Sequence, residues 1–519
     1  FGNQTISFSS LLFLWAAAAA VVIIKKSFGI AKWAGPADSM YSAHQLNVPF
    51  NIKQGLASTL AAFASVSGGA SVGQYGPIVH FGATVGIITS KLQLRKRLGF
   101  NRLPREIYLA CGVAAAISAG FNAPIAGIIF AHEAILRHFS VRAIAPITVS
   151  SIAASSVGGY LFPHTATFKI DAAAPALAEV VPFLVILSPI FAITAIAFMV
   201  SIRYSTKLAT SLSVNPTLLP FIGATACGLV GLFVPQALGL GVSNINDMIA
   251  GEYLVPLLIS VLIAKIFMTS ACIGFGVFGG VFSPALFIGV AAGALATKLL
   301  VAIGFNDIAS VITVAAMAAV SASVIGAPLS AVLIVLELSQ SYEYAVAAMI
   351  AVMVCSLITH RLFGHSFFDR QLLDRGVDLV KGREAIALEN QVLEPYASQD
   401  HIRVRKSDTG NTAREHMERR EQTEAYVVDE GGILLGKLNI HQAVSCGDDT
   451  VDTRMDKDPT LLYADDSLKQ AMIKVSDFVG ESLPVVYKKS TLMTGSIAEG
   501  ELFQAVIDVQ SQARTIERD

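Results

Sequence analysis

Apolar runs separated by short polar breaks fill the first three quarters of the chain. A bilayer core of about 30 Å needs about 20 helical residues. Runs near that length recur at 8–24, 143–162, 179–202, 216–234, 253–273, 284–303 and 344–362. Runs too short to span with ease lie between them, at 54–67, 77–91, 106–119, 124–136, 307–322 and 328–339. Broken helices are tolerated at membrane depth only where protein buries them or they line a cavity. The pattern therefore predicts an all-α, polytopic membrane domain with broken helices.

The pattern changes near residue 377, and from about residue 385 the chain is polar and charged. Two short β-like runs lie at 424–428 and 482–487, with a helical stretch near 467–476. Strands alternating with helices, without long apolar runs, predict a soluble α/β unit. We therefore expect a membrane domain over 1–377 and an appended domain over 378–519.

Composition supports this division. The 519 residues are 54% hydrophobic and 14% charged, which is typical of polytopic membrane proteins. The formal net charge of -1 gives no electrostatic reason to expect a nucleic-acid partner. The five cysteines show no metal-ligand spacing, so unpaired thiols and no metal are expected. The chain shows no cleavable signal peptide and opens at Phe1, so a short N-terminal piece is expected to be missing.

Basic residues cluster in the break after residue 90, at Lys91, Arg95, Lys96, Arg97, Arg102 and Arg105. Loops rich in lysine and arginine lie on the cytoplasmic side of membrane proteins. This break is therefore predicted to be cytoplasmic.

Two glycine-bounded loops end in proline and lead into apolar helices. The first is Gly73-Gln74-Tyr75-Gly76-Pro77 and the second is Gly280-Val281-Phe282-Ser283-Pro284. Proline suits the first helical turn, and glycine lets the backbone approach a ligand closely. The unpaired N–H groups and the macrodipole make a helix start an anion site. Two such starts inside apolar sequence predict a buried place for a dehydrated anion.

An internal repeat accompanies these loops. The segment 122–133 (NAPIAGIIFAHE) resembles 326–337 (GAPLSAVLIVLE), 204 residues further on, and the two loops lie 207 residues apart. Two motifs in the same order at nearly the same spacing indicate duplicated halves, about 1–175 and 176–377. Such halves commonly pack in inverted orientation around a site at their interface.

These motifs together resemble the CLC family of chloride channels and proton-coupled chloride transporters. Gly73–Pro77 is similar to the family's G-[KR]-E-G-P loop, Gly280–Pro284 to G-x-F-x-P, and Phe121–Pro124 to F-N-A-P. The tail resembles a pair of CBS modules, one around 426–438 and one around 458–486.

The resemblance implies a CLC-type fold of two inverted repeats followed by an α/β CBS-like pair. It implies a homodimer with one anion path in each subunit, set in membrane lipid, and by analogy a bacterial inner membrane with the tail in the cytoplasm. The central anion would be held by backbone N–H groups, here those of Val281 and Phe282. Gly73, Gln74, Gly76, Pro77, Gly280 and Ser283 complete the expected anion-binding loops.

The chain departs from the family at position 75, where the gating glutamate of the loop is Tyr75. A phenol has a pKa of about 10 and is neutral at working pH, so it can donate to an anion but cannot replace one. Tyr75 is expected to act as the gate in another way, as a steric plug or a donor to the anion. The alternative is that its side chain packs aside.

A second departure concerns the paired acids after F-N-A-P. Glu133 fills the first position and Ala134 the second, as in channel members of the family. Glu133 and its repeat counterpart Glu337 are then expected to cap helix ends. The alternative is a proton path through Glu133, because an acid inside a membrane is a functional candidate by default.

Two hydroxyls of the family's anion path are also missing. The serine of its G-S-G-I-P loop aligns with Ala34, followed by Gly35, and its late pore tyrosine falls near Phe368. Ala34, Gly35 and Phe368 are thus expected at the anion path without a hydroxyl. The hydroxyl of Tyr75 is a candidate replacement.

Three further residues allow two interpretations each. His80 follows the first loop and is either a satisfied buried histidine or a pH sensor. Lys265 and Lys298 lie in apolar sequence and either snorkel to the interface or steer anions.

The tail lacks the ribose-binding aspartate of CBS nucleotide sites, and Glu501 is the nearest substitute. A structural, dimerising role is therefore favoured over binding of an adenine nucleotide, and no cofactor is expected to be required.

The sequence therefore predicts passive, chloride-selective conduction, with no acidic side chain competing for the anion. The alternatives are a proton-coupled antiporter with a different proton carrier, and a non-conducting, membrane-anchored nucleotide sensor. The glycine-rich loops lack the Lys-Ser/Thr ending of a phosphate-binding loop, and no enzyme motif appears.

Overall fold

The computed structural model describes residues 8–44, 49–92, 103–162, 168, 175–305, 307–379, 382–476 and 478–518. Most of the predicted cytoplasmic basic break, residues 93–102, lies outside these ranges, as does the expected truncation at Phe1. The chain divides into two compact units, Phe1–Val377 and Asp378–Asp519.

The helices account for nearly all regular secondary structure in the described part of the first unit. Its helices are α1 Ser9–Ser27, α2 Pro36–His44, α3 Ile52–Ser67, α4 Tyr75–Lys91, α5 Arg105–Phe121, α6 Pro124–Phe130, α7 Val141–Leu161, α8 Leu177–Ser211, α9 Leu219–Phe233, α10 Val242–Ile249, α11 Val255–Gly274, α12 Phe282–Ala302, α13 Ala309–Ile325, α14 Pro328–Ser339, α15 Tyr342–Leu362 and α16 Phe367–Leu373. A π-helical turn, Ala131–Leu136, extends α6.

Six of the described helical segments are long and apolar enough to cross a membrane. They are Ser9–Ser27, Val141–Leu161, Leu177–Ser211, Val255–Gly274, Phe282–Ala302 and Tyr342–Leu373. Short apolar helices stand between them, as the hydrophobic pattern predicts. The run at 216–234 was predicted to be near spanning length, but it forms only the 15-residue helix Leu219–Phe233, because its ends are not helical. The apolar run at 179–202 underestimates α8, because the helix continues through the polar residues up to Ser211. The chain is an integral membrane protein that crosses the bilayer several times.

The internal repeat is visible in the backbone. Helix α5 ends at Asn122 with φ 54° and ψ 42°, and α13 ends at Gly326 with φ 80° and ψ 33°. Both residues are left-handed, which suits glycine and asparagine at a helix end. An extended alanine then leads into a proline that starts the next short helix, with φ/ψ of -130°/80° at Ala123 and -132°/72° at Ala327.

The helices of the two halves pack in equivalent pairs. In the first half α4 packs on α5, α5 on α7, and α6 on α7. In the second half α12 packs on α13, α13 on α15, and α14 on α15 in the same way. The two short helices α6 and α14 also contact each other, so the repeats meet there.

Two glutamates close this contact by capping each other's helices. The Glu133 carboxylate accepts from the N–H groups of Leu329 and Ser330, both at 2.8 Å, and from the Ser330 hydroxyl at 2.6 Å. The Glu337 carboxylate accepts from the N–H groups of Ile125 at 2.9 Å and Ala126 at 2.8 Å. Each acid thus satisfies orphan donors at the start of the other repeat's helix, where the macrodipole also favours negative charge.

The second unit contains one strand–helix–strand–strand–helix arrangement twice. The first copy has β1 Ile402–Arg405, α18 Gly410–Arg419, β2 Glu424–Val428, β3 Leu434–Asn439 and α19 Ile440–Cys446. The second has β4 Leu462–Tyr463, α20 Leu468–Val475, β5 Ser482–Val486, β6 Met493–Ala498 and α21 Glu499–Arg518, and α17 Gly382–Asn390 precedes both copies.

Each copy forms a three-stranded sheet in chain order. The first two strands pair in parallel and the last two pair antiparallel. The cores are apolar, as the burial of Val427 and Leu438 in one and of Val485 and Ile497 in the other illustrates. The predicted strands at 424–428 and 482–487 and the helix near 467–476 are present. The strands β1, β3, β4 and β6 were not predicted, because their runs are short and half polar.

The reciprocal caps generate a stability prediction. Glu337→Gln removes the charge at the start of α6 and replaces one acceptor oxygen by a donor that faces an N–H group. Loss of a charged cap costs about 1–2 kcal/mol, so the melting temperature in detergent should fall, and Glu133→Gln should have a similar effect. Glu252→Gln, at an exposed glutamate, is the control. Equal melting temperatures for all three variants would contradict a capping role.

Candidate functional site

The two glycine loops meet at a buried point of the helical unit. Gly73 and Gly280 form an isolated antiparallel bridge. The Gly73 N–H donates to the Gly280 carbonyl at 2.7 Å, and the Gly280 N–H donates to the Gly73 carbonyl at 2.6 Å. Helices α4 and α12, which start two residues after these glycines, therefore have their N-terminal ends at this crossing.

Side chains do not fit at the crossing. A Cβ on Gly73 would lie 2.9 Å from both the Gly280 carbonyl oxygen and Cδ of Pro284, and a Cβ on Gly280 would lie 2.9 Å from the Gly76 nitrogen. Contacts that close are essentially absent from real structures, so both positions require glycine. The glycines in the sequence motif are thus explained by the approach of two backbones.

The helix starts at the crossing carry free donors. Among the described residues, none accepts a hydrogen bond from the N–H groups of Val281, Phe282 or Ser283. The Ser283 hydroxyl is buried there and also lacks a hydrogen-bond partner among these residues. A buried donor left unpaired costs about 1–3 kcal/mol, and the dipole of the 21-residue helix α12 favours an anion at this end.

A cavity of about 120 Å³ adjoins the crossing. It brings together five predicted site residues, Gly35, Pro77, Gly280, Val281 and Phe368. The cavity wall therefore draws on the starts of α2, α4 and α12 and on α16, which are far apart in sequence. Phe368 is 5% exposed and contributes a ring without a hydroxyl, as the alignment predicts.

The loop before α2 has its donors occupied. The Ala34 N–H donates to the Ser58 hydroxyl at 2.8 Å, and the Gly35 N–H donates to Oδ2 of Asp38 at 2.8 Å. Asp38 itself lines the cavity and its Oδ1 lies 2.7 Å from Nη1 of Arg375. An acidic side chain that the sequence analysis did not single out thus lines the cavity, and its carboxylate occupies the helix start at Gly35.

Tyr75 lies outside the cavity lining, in a cluster of three aromatic rings. Its ring stacks on Phe121, with centroids 3.8 Å apart and planes at 16°, and meets Phe282 edge-on at 5.5 Å. Its hydroxyl makes a long hydrogen bond of 3.5 Å to the Gly120 carbonyl. Gly120 leaves room for this ring, since a Cβ there would lie 3.1 Å from the Tyr75 Cε1 atom. The hydroxyl is thus directed at the backbone of α5, while the ring covers Phe282 at the start of α12.

Helix α16 is tied to the rest of the unit by ion pairs near both of its ends. Asp369 pairs with Arg137, which ends the π-helical turn, and Arg375, just past the helix, pairs with Asp38 of α2. These pairs hold Phe368 against the cavity.

Glu133 and Glu337 are engaged as helix caps, so the structure supports the capping interpretation over the proton path. A proton carried by Glu133 would have to displace three donors.

The remaining candidates differ in outcome. His80 is buried and its Nδ1 contacts the Ser39 hydroxyl at 2.7 Å, while its Nε2 has no partner among the described residues. Lys265 does not snorkel, because it is fully buried and donates to the carbonyls of Ala237 at 3.0 Å and Gly239 at 2.6 Å. Lys298 donates to the Gly251 carbonyl at an exposed position.

Several residues of the site were missed by the sequence reasoning. Asp38 and Arg375 are charged, but neither lies in a glycine motif. Because they are 337 residues apart, the sequence does not indicate that they form an ion pair. Gly120 contributes space for the Tyr75 ring, and Ser58 contributes one hydrogen-bond acceptor. Neither contribution can be recognised in an apolar helical sequence.

The tail has a cavity of about 230 Å³ of its own, and Glu501 lines it. Oε2 of Glu501 accepts from the Ala498 N–H at 3.0 Å, which caps α21. Three more carboxylates, those of Asp400, Glu424 and Glu481, line the same cavity. Glu424 is paired with Lys437 at 2.7 Å and Asp400 with Arg420 at 3.6 Å. The remaining negative charge of Glu481 and Glu501 disfavours the phosphates of a nucleotide.

His401 lies in the wall of the tail cavity and is 7% exposed. Its Nδ1 contacts the Ser398 carbonyl at 3.2 Å, and its Nε2 accepts from Nε of Arg403 at 2.8 Å. Burial, followed by the charge of Arg403, lowers the pKa of His401 from its ordinary value. A neutral imidazole fits both contacts.

Comparison with known proteins gives a consistent picture. A family model described as "Voltage gated chloride channel" matches residues 16–360. The chain is 28% identical to a ClcB-like chloride channel protein of Ralstonia nicotianae over 62% of this chain and 75% of the relative. It is 29% identical to the H(+)/Cl(-) exchange transporter ClcA of Vibrio parahaemolyticus, over 63% and 71% respectively. The crystal structure of a slow cyanobacterial Cl-/H+ antiporter matches with a TM-score of 0.63 and 19% identity, over 72% of this chain and 88% of that one.

The lowered pKa of His401 generates a pH prediction for the tail. Below the unfolded-state pKa of about 6.5, the unfolded tail binds a proton that the folded tail does not. The stability of the tail should therefore be complete above that pH and decrease as the pH falls through it. Hydrogen exchange of the β1 amides in the full chain, corrected for intrinsic rates, measures this. His401→Gln should weaken the dependence, His441→Gln, at an exposed histidine, should not, and equal profiles for both would contradict it.

Proposed function

The chain belongs to the voltage-gated chloride channel family, and we propose that it conducts chloride passively across a membrane without exchanging it for protons. The anion would bind at the start of α12, in contact with the N–H groups of Val281 and Phe282. The cavity that Val281 lines would connect this position to one side of the protein.

The observation that carries the proposal is the set of unpaired donors at the start of α12. Three N–H groups and the Ser283 hydroxyl have no partner among the described residues. A dehydrated halide would satisfy them, and the helix dipole would add to the attraction. Ser283 supplies a buried hydroxyl without a partner in the described part of the chain, at the start of α12, so it is a better candidate than Tyr75 for the hydroxyl that Ala34 and Phe368 lack.

The absence of coupling is inferred from position 75. Tyr75 carries no charge at working pH, and its hydroxyl is directed to the Gly120 carbonyl. Glu133, the alternative candidate for a proton path, accepts hydrogen bonds from three donors. Neither group is arranged to alternate with a chloride ion at the start of α12.

Proton-coupled exchange is the second candidate. The relative from Vibrio parahaemolyticus is named as an H(+)/Cl(-) exchange transporter, and Asp38 places a carboxylate in the cavity wall. As a proton carrier, Asp38 would take over the role of the family's gating glutamate, whose position Tyr75 occupies.

The homodimer and the role of the tail remain predictions. Helices α6, α7, α14 and α15 carry exposed apolar side chains such as Ile125, Ile152, Leu329 and Met353. We propose that a second subunit covers part of this face and lipid covers the rest. The remaining negative charge of the tail cavity favours a structural role of the tail over nucleotide binding.

Reconstituted vesicles test the proposal. With a chloride gradient and a potassium ionophore to carry the compensating charge, the protein should release chloride and leave the internal pH unchanged. A chloride gradient that drives protons uphill in a fixed ratio would reject passive conduction and support exchange. Asp38→Asn would then test whether Asp38 is the proton carrier. If it is, the variant loses proton movement; if another group carries the proton, the movement persists.

Two substitutions at Tyr75 separate the ring from its hydroxyl. Tyr75→Phe keeps the stack on Phe121 and loses one long hydrogen bond, so chloride affinity should change by less than about twofold. Tyr75→Ala removes the ring that covers Phe282, so the chloride flux should increase several-fold. Calorimetry and vesicle efflux measure the two effects. A large loss of affinity in Tyr75→Phe would instead make the hydroxyl a ligand of the anion.

A further inference from the structure

Asp38 holds two partners from the wall of the cavity. Its Oδ2 accepts from the Gly35 N–H at 2.8 Å, at the start of α2. Its Oδ1 pairs with Nη1 of Arg375 at 2.7 Å. Gly35, Asp38 and Arg375 all line the cavity that Gly280 and Val281 also line. A fixed negative charge and the proposed anion position therefore share a space of about 120 Å³.

The Gly35 N–H is the donor that an anion would use at the start of α2. The neighbouring N–H, that of Ala34, is directed to the Ser58 hydroxyl, so it is already satisfied. A carboxylate oxygen and a halide compete for one donor at a helix start, since both are favoured there by the N–H group and by the dipole. As long as Asp38 holds Gly35, a halide in the cavity meets like charge and one donor fewer.

We propose that Asp38 is a tethered competitor of the transported anion: its carboxylate occupies the start of α2, and a halide gains that position when the carboxylate turns to Arg375 alone. This inference rests on the proposed function, because it assumes that an anion enters the cavity. It assigns to Asp38 the control of anion affinity, and to Arg375 the role of its counter-ion.

The ion pairs of α16 allow this exchange without movement of the helix. Asp369 and Arg137 hold α16 independently of Asp38. Arg375 lies two residues beyond the end of α16 and its side chain is 43% exposed, so it can follow a short aspartate side chain. Only the contact with Gly35 has to break.

Three variants test the proposal by calorimetric titration of chloride into purified protein in chloride-free buffer. Asp38→Asn removes the charge and leaves the Gly35 N–H a neutral amide oxygen, whose hydrogen bond is about half as strong as that of a carboxylate, so a halide displaces it more easily. Chloride should bind about tenfold more tightly to it. Arg375→Gln leaves the carboxylate without its counter-ion, so chloride should bind several-fold more weakly.

The double variant Asp38→Asn with Arg375→Gln separates competition from net charge. It has the same formal charge in the cavity as the wild type. If Asp38 competes for the Gly35 N–H, chloride still binds more tightly to the double variant than to the wild type. If the double variant equals the wild type, the pair acts only through its net charge and the proposal is overturned.

Asp374→Asn is the matched control. Asp374 lies next to Arg375, is 54% exposed and contacts Arg370 at 3.5 Å. It is absent from the cavity lining, so its substitution should leave the affinity unchanged. A gain equal to that of Asp38→Asn would overturn the proposal.

A crystal of Asp38→Asn soaked in bromide gives a direct readout. Anomalous density within hydrogen-bond distance of the Gly35 nitrogen, absent from the wild type, supports the proposal, and its absence from both contradicts it. A wild type that neither binds nor transports halide would reject the proposed function. A wild type that binds halide, with an unchanged Asp38→Asn, would reject this inference alone.

Discussion

Two hydrogen bonds between Gly73 and Gly280 hold the N-terminal ends of α4 and α12 against each other in an apolar interior. The backbones can approach this closely because neither residue has a side chain. As a consequence, the helix starts face one another and the N–H groups that no helix can satisfy lie where water is scarce. The fold accepts the free-energy cost of these unpaired donors, and an anion bound there, as proposed, would offset it.

Duplication explains how one chain builds two such helix ends. The turn from α5 to α6 and the turn from α13 to α14 have almost the same backbone angles, and Glu133 and Glu337 cap each other's helices. Since each repeat completes the other, neither half is expected to be stable alone. The same relation places α4 and α12 at equivalent positions about the crossing, although their first turns differ in side chains: Tyr75 packs on Phe121, and Ser283 keeps a free hydroxyl.

Much of the fold was predictable because apolar length and glycine–proline punctuation are local signals. Most helices of the membrane unit and the strands β2 and β5 follow directly from such patterns, but the short helices α10 and α16 were not predicted. The duplicated motif also predicted that Glu133 and Glu337 play equivalent roles. What the sequence could not give is contact between distant segments. Three contacts depend on how helices cross: the stack of Tyr75 on Phe121, the hydrogen bond from Ala34 to Ser58 and the ion pair of Asp38 with Arg375. Nothing in the local sequence around these residues indicates their partners.

The distribution of charge around the crossing follows from what each group can find as a partner. Lys265 is fully buried, and carbonyls of Ala237 and Gly239 and the ring of Phe287 surround its ammonium group. The Ser71 hydroxyl donates to the same Ala237 carbonyl, which links this buried cation to the segment that enters the Gly73 loop. With a neutral phenol at position 75, the acid that lines the cavity is Asp38, and its counter-ion Arg375 is half exposed. A cation held by neutral carbonyls keeps its attraction for a mobile anion, whereas an anion held by a cation that can move keeps its place only conditionally. Under the proposed role of Asp38, this difference would let a halide enter while the carboxylate turns to Arg375.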